Sequence, residues 1–299
     1  MNEKYLEIAA ATLNVPTEGV WKYLEDGIEN MLIPDHGDAR RLTTSFDPNG
    51  LLYWLSGTWK SVEPKHHPER RIEHLLMSNP DMVDYLSRYY ESRVNDIYPL
   101  LDYDKYRNEI EVALSHTILD YEILNTLTDA NVILDYSAGY GRMLCLFNRN
   151  ERWKYVAAES IPATMVVFSV FNYGFFLSRL YEPITTNDLS NFTLPLYTTT
   201  SGLSNLDPES IDCLAIIWAY SEYDSKGAGI AITNINRLVR PGGYVYIRDI
   251  SKPITHSIDI DYWLTTKLQL PFKLEYRLND PRRSFGEVRL YKRDIILKG

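Results

Sequence analysis

The run Asn131-Val-Ile-Leu-Asp-Tyr-Ser-Ala-Gly-Tyr-Gly-Arg142 constrains this chain more than any other stretch. Val132, Ile133 and Leu134 are continuously apolar, the pattern of a strand buried on both faces of a parallel sheet. The strand closes on Asp135 and enters a turn carrying Gly139 and Gly141, which lack the β-carbon that keeps a ligand away from the backbone. Arg142-Met-Leu-Cys-Leu-Phe147 can then begin a helix. Strand, glycine turn and helix in this order open a βαβ unit of the kind that holds a nucleotide-like ligand.

Further elements follow at matching places. Lys154-Tyr-Val-Ala-Ala158 reads as a second strand ending on Glu159, a carboxylate able to accept two hydrogen bonds from a diol. Ser210-Ile-Asp-Cys-Leu-Ala-Ile-Ile-Trp218 is another apolar strand, leading into Ala219-Tyr-Ser-Glu-Tyr-Asp224. In Arg237-Leu-Val-Arg-Pro-Gly-Gly-Tyr-Val-Tyr-Ile247 a helix is expected to stop at the Pro-Gly-Gly and a strand to follow. Phe272-Lys-Leu-Glu-Tyr-Arg-Leu278 and Glu287-Val-Arg-Leu-Tyr-Lys292 read as a closing hairpin. The third strand has two placements: residues 194–200, which set Ser201, Gly202 and Leu203 at its carboxyl end, or a position ending on Asp188. The first is preferred.

Together these pieces resemble the class I methyltransferases that use S-adenosylmethionine, over residues 111–299. The resemblance implies an α/β, Rossmann-like sheet, mostly parallel with an antiparallel C-terminal strand. It implies a mainly helical N-terminal cap over the substrate, here residues 1–110. It also implies S-adenosylmethionine as cofactor, held by Asp135, Ser137, Gly139, Gly141, Glu159, Ser201, Gly202, Leu203 and Trp218. The chain departs from the family at Ser137, where the first glycine of the turn usually stands; a serine fits there with a negative φ. It departs again at Ser201, where the family often has an acidic residue. A closing antiparallel pair is foreign to nicotinamide-binding Rossmann domains, which tilts the cofactor away from NAD.

A weaker likeness is to bacterial sugar O-methyltransferases of surface-polysaccharide and natural-product pathways. It rests on Glu159-Ser-Ile-Pro-Ala163 leading into a long aromatic helix through 168–180, on Ser210-Ile-Asp212, and on Ser221-Glu222. It implies a small-molecule acceptor, a sugar or glycosylated metabolite. The alternatives are an amine or carboxylate acceptor, or a ligand-binding protein of the same fold without catalysis.

A sugar hydroxyl titrates far above neutrality, so its transfer chemistry needs a base or a metal to take or weaken the proton. Ligands of open α/β sheets bind at the carboxyl ends of the strands, which directs attention to the residues after the fourth and fifth strands. Glu222 is the first candidate base, His256 the second and Asp249 the third. No metal is assigned: the sequence has no diagnostic ligand spacing, and the adjacent His66 and His67 point to opposite sides of an extended segment. His116, inside a predicted helix, reads as structural.

Composition narrows the partners. The net charge is −9 and no Lys/Arg cluster forms a phosphate-backbone footprint, so nucleic acid is not expected as substrate. No run is long enough to span a bilayer, and the start of the chain lacks a signal peptide's basic and apolar stretches; a cytoplasmic protein is expected. Cys145 and Cys213 read as small buried hydrophobes rather than a disulfide. The 23 tyrosines suit either a substrate pocket or half-buried packing between helices. Two short helices are expected within residues 3–31, and a loop-rich stretch at 34–68, with Tyr53, Trp54 and Trp59, could pack as a lid or against those helices. Ile110, Leu114, Ile118 and Tyr121 mark a helix running into the first strand. The oligomeric state is left open.

Overall fold

A computed structural model describes residues 77–97, 107–159, Met165, Phe168, Ser169, Phe171, Asn172, 184–191, 195–249, 257–268, 271–279 and 286–295. The expected helices and loop before residue 77, His66 and His67, most of the 168–180 helix, and His256 lie outside the described residues. So does the side chain of Glu222.

Among the described residues, one sheet of seven strands organises the fold, in the order β3-β2-β1-β4-β5-β7-β6. Its strands are β1 (Val132–Tyr136), β2 (Lys154–Glu159), β3 (Leu196–Thr199), β4 (Ile211–Ile217), β5 (Val239–Asp249), β6 (Phe272–Asn279) and β7 (Glu287–Arg293). The first five run parallel, and β7 is antiparallel to both β5 and β6. This is the mostly parallel α/β architecture expected from the sequence, with its antiparallel strand inserted between β5 and β6. Ile133, Leu134, Ile216 and Ile247 are wholly or almost wholly buried, as strands in the middle of such a sheet require. Of the two placements for the third strand, the one after Asp188 is observed. Asp188 instead lies in a short helix, Thr186–Asn191, whose entrance it caps by accepting from the Thr185 amide at 2.8 Å.

The helix before β5 spans Ser225–Leu238, opened by Asp224, whose Oδ1 accepts from the Gly227 amide at 2.6 Å. It ends before the Pro-Gly-Gly, not at it. Val239 already pairs with Ile211, and the register then jumps so that Cys213 faces Tyr244, leaving the Pro-Gly-Gly as a bulge inside β5. Asp212 explains the early stop. Its Oδ2 accepts from the Asn131 and Val132 amides at 2.9 and 2.8 Å, and its Oδ1 pairs with Arg240, so the chain is captured by the sheet just after Leu238.

The described residues fall into two compact units. The sheet belongs to the unit made of Leu127–Ala138, Phe147–Glu159 and the residues from 184 onward. The other unit takes the residues up to Thr126 together with Gly139–Leu146 and the described positions between 160 and 177. In it, α1 (Pro80–Ile97) packs on α2 (Arg107–Asn125), burying Leu86, Tyr90 and Val94 with Leu114 and Ile118. Within this second unit the Tyr140 carbonyl accepts from Asn172 Nδ2 at 2.7 Å, the Tyr140 and Tyr90 hydroxyls lie 3.2 Å apart, and Arg142 pairs with the buried Asp120. Both cysteines are free and buried. Among the described residues, no helix is long and apolar enough to cross a membrane.

Candidate active site at the carboxyl ends of the strands

Strand order reverses between β1 and β4, each side of β1 leading to a different half of the sheet. The carboxyl ends beside such a reversal form the natural ligand crevice of an open α/β sheet. Five parallel strands end on that side of the sheet, and polar groups stand at or just after their ends.

At the end of β1, Asp135 is buried and accepts a hydrogen bond from the Tyr155 hydroxyl of β2. Next comes Ser137, with φ at 63°. The expected negative φ is therefore wrong: the serine adopts the left-handed conformation that a glycine would take there, at a cost on the order of 1 to 2 kcal/mol. Two contacts hold it. The Ser137 and Ala138 amides both donate to the Ala158 carbonyl, at 2.8 and 3.1 Å, and Ser137 Oγ lies 2.6 Å from the Tyr223 hydroxyl.

The two glycines of the turn serve different ends. Both have positive φ, 58° at Gly139 and 70° at Gly141. A β-carbon added to Gly139 would meet nothing within 4 Å, whereas one added to Gly141 would stand 2.2 Å from Phe168 Cε2. Gly141 is thus a packing glycine covered by an aromatic ring, and Gly139 is the one with open space beside it.

Glu159 closes β2 and is 2 % exposed. Tyr136 and Tyr223 lie close enough to sense its charge. Burial raises the Tyr136 phenol to about 12 although the hydrogen bond from Asn234 opposes this, and Glu159 adds to the rise. Tyr223 is pushed well above the usual phenol range, first by burial and then by Tyr136, with Glu159 and Asp249 contributing. Both phenols therefore stay protonated at neutral pH.

After β3 the chain makes a 3₁₀ turn, Ser201–Asn205. Thr199 Oγ1 accepts from the Gly202 amide at 3.1 Å and lies 2.8 Å from Ser201 Oγ. A β-carbon on Gly202 would collide with Thr198 Oγ1 at 2.1 Å, and Leu203 is buried, so within this turn Ser201 alone is exposed among the three residues expected to contact the cofactor.

After β4, Trp218 has φ of 56° and donates its amide to the Arg248 carbonyl at 2.8 Å. The Arg248 guanidinium sits 5.3 Å from the centre of its ring, and Gly286 would touch the ring at 2.9 Å if it carried a β-carbon. The indole thus lies among residues of β5 and the entrance to β7. The chain then turns through Tyr220–Glu222. Tyr220 donates to the Ile258 carbonyl at 3.1 Å, and the Ser221 amide donates to Asp249 Oδ2 at 2.9 Å. Arg248 and Asp249 are both fully buried. Asp249, the third candidate base, therefore holds a turn, while the backbone of Glu222 lies in that turn.

The short helix Ile260–Tyr262 is fastened by Asp261, which pairs with Arg289 at 2.9 Å and with Arg277, and accepts from Tyr291. Burial works to raise this carboxyl, but the Tyr291 hydrogen bond and the two arginines outweigh it and hold Asp261 below the usual aspartate value. Sequence reasoning gave no role to Tyr136 or Tyr223, the two phenols that the structure sets beside Glu159. For Tyr223 one signal existed, the serine standing in a glycine position.

No family model matches the chain, and no curated protein does. Solved structures with likeness include a TehB-like S-adenosylmethionine-dependent methyltransferase from Corynebacterium glutamicum, 13 % identical, covering 60 % of this chain and 87 % of that one with a TM-score of 0.41. Phosphoethanolamine N-methyltransferase 1 of Haemonchus contortus, seen with phosphoethanolamine and S-adenosylhomocysteine, is 14 % identical over 62 % of this chain and 45 % of its own, with a TM-score of 0.39. An S-adenosylmethionine-dependent methyltransferase from Aquifex aeolicus is 11 % identical over 58 % and 88 %, with a TM-score of 0.36. The sheet's own strand order, rather than likenesses this distant, defines the fold.

Proposed function

We propose that this chain is an S-adenosylmethionine-dependent methyltransferase acting on a hydroxyl of a small molecule, with a sugar or glycosylated metabolite as acceptor. The observation that carries the reading is the buried Glu159 carboxylate, closing the second strand of a sheet whose first strand leads into the 137–141 turn. A carboxylate at that strand end accepts two hydrogen bonds from a ribose diol. The open space at Gly139 suits close approach by the amino-acid tail of the ligand. Ser201, Gly202 and Leu203 would flank the adenine, with Trp218 as a further contact and Asp135 shaping the turn from below. Residues 1–110 would cap the acceptor, and residues 111–299 would carry the cofactor.

The cofactor supplies, when bound, a methyl group on a positively charged sulfur. That charge fades in the transition state, so a strong anion beside the sulfur would favour the ground state and slow transfer. The protein's task is then orientation, and proton removal at the acceptor. Glu222 is the proposed base, with His256 as the alternative. Asp249 is already engaged by the Ser221 amide.

Calorimetry with S-adenosylmethionine and S-adenosylhomocysteine tests the reading: absence of binding to both removes it. Glu159→Ala should weaken binding by about 1 to 3 kcal/mol, the worth of hydrogen bonds to a charged acceptor. For the acceptor, activated sugar nucleotides incubated with labelled cofactor should gain one methyl by mass spectrometry. Methylation of an amine or carboxylate panel instead would replace the sugar assignment.

A further inference from the structure

Glu222 is flanked on both sides by residues tied to other strands. Ser221 is held through its amide by Asp249 at the end of β5, at 2.9 Å. Tyr223 is held through its hydroxyl by Ser137 at the end of β1, at 2.6 Å. Tyr220 and Trp218 add their own hydrogen bonds, to the carbonyls of Ile258 and Arg248. Asp249 is fully buried and Tyr223 is 2 % exposed, so these contacts face little competition from water.

Ser137 makes the arrangement informative. A glycine would take the same φ of 63° without strain, but it would offer Tyr223 no hydroxyl. The serine accepts the strained backbone and links two turns that are separated by 86 positions in the chain. We infer that Ser137, Tyr223 and Asp249 are positioning residues that couple the turn after β1 to the turn after β4, so that ligand binding at the first sets Glu222 in place at the second. The inference rests on the proposed methyltransferase reading for what the ligand is, but the coupling itself belongs to the protein alone. Because burial keeps the Tyr223 phenol protonated, the link persists across neutral pH.

Hydrogen exchange on the ligand-free protein tests the coupling directly. Tyr223→Phe should speed exchange tenfold or more at the amides of both 137–138 and 220–223; acceleration confined to 220–223 overturns it. Asp249 is tested by a pair of variants. The amide oxygen of Asp249→Asn can still accept from Ser221, so that variant should keep the Ser221 amide slow, while Asp249→Ala should not. Equal exchange in the two overturns the positioning role.

Affinity for S-adenosylhomocysteine supplies the second readout. Ser137→Ala and Tyr223→Phe should each weaken it about fivefold to tenfold, as loss of one hydrogen bond does, and the double variant should be no weaker than either single one. Additive losses, or none, overturn the coupling while leaving the methyltransferase reading intact. Failure of the unaltered protein to bind at all removes that reading instead, and the exchange results still decide the coupling. With an identified acceptor, Asp249→Asn should retain turnover that Asp249→Ala loses; equal loss in both would return Asp249 to the role of base.

Discussion

The two ends of the sheet use their carboxylates in opposite ways. At the amino ends, Asp212 gathers the amides of Asn131 and Val132 and the guanidinium of Arg240, and Asp129 accepts from Tyr244 at 2.8 Å with Lys292 beside it. These carboxylates close the fold around themselves. At the carboxyl ends, Glu159 and Asp249 are buried near two phenols, and two residues other than glycine, Ser137 and Trp218, hold left-handed backbone conformations. Glu209 shares that conformation but is an exposed turn residue at the amino side, where strain has no bearing on a crevice. One end is built for closure, and the other carries strain and buried charge of the kind that accompanies a binding site.

The contrast can be broken most sharply at Asp212. Asp212→Ala should lower unfolding stability by about 3 kcal/mol in a urea titration, because it removes charge-assisted hydrogen bonds and leaves Arg240 without its carboxylate. Ligand affinity should be unchanged. The mirror experiment is Glu159→Gln, which should change stability by less than about 1 kcal/mol, or raise it, while binding falls; a large loss of stability would make Glu159 a closure residue like Asp212.

Smaller effects sharpen the comparison. Ser137→Gly removes both the strain and the Tyr223 hydrogen bond, whereas Ser137→Ala keeps the strain and loses the bond. The glycine variant should therefore be the more stable by about 1 kcal/mol, and equal stabilities would mean that Ser137 is not strained. The smallest effect is a pH dependence. Asp261 is held below the usual aspartate value, so its contribution is present above that value and lost as pH falls through it and below. Thermal melts should show a steeper acid-side decline for the unaltered protein than for Asp261→Asn; identical slopes would remove Asp261 from the acid response.

Much of the sheet was legible because strands buried on both faces must carry unbroken apolar runs, as 132–134, 155–158 and 213–218 do. The end of the helix before β5 was misplaced for a physical reason. A Pro-Gly-Gly is a strong local stop, but Asp212 and Ile211 capture Val239 and Arg240 into the sheet first, an interaction between segments that local propensity cannot register. The site was legible as strand ends and glycines, and less so in their roles. Gly139 and Gly141 look alike in the chain, yet only the packing of Phe168 distinguishes the covered one from the open one.

What the sequence determined by itself was the alternation of apolar strands and turns, the carboxylate at the end of β2 and the glycines after β1, because backbone burial and steric permission are local properties. What the tertiary structure decided was which groups face each other. The left-handed serine and its Tyr223 partner, the capture of the Ser221 amide by Asp249, and the arginines around Asp261 all join positions far apart in the chain. Such contacts depend on strand order and register, which arise only when the whole sheet is assembled.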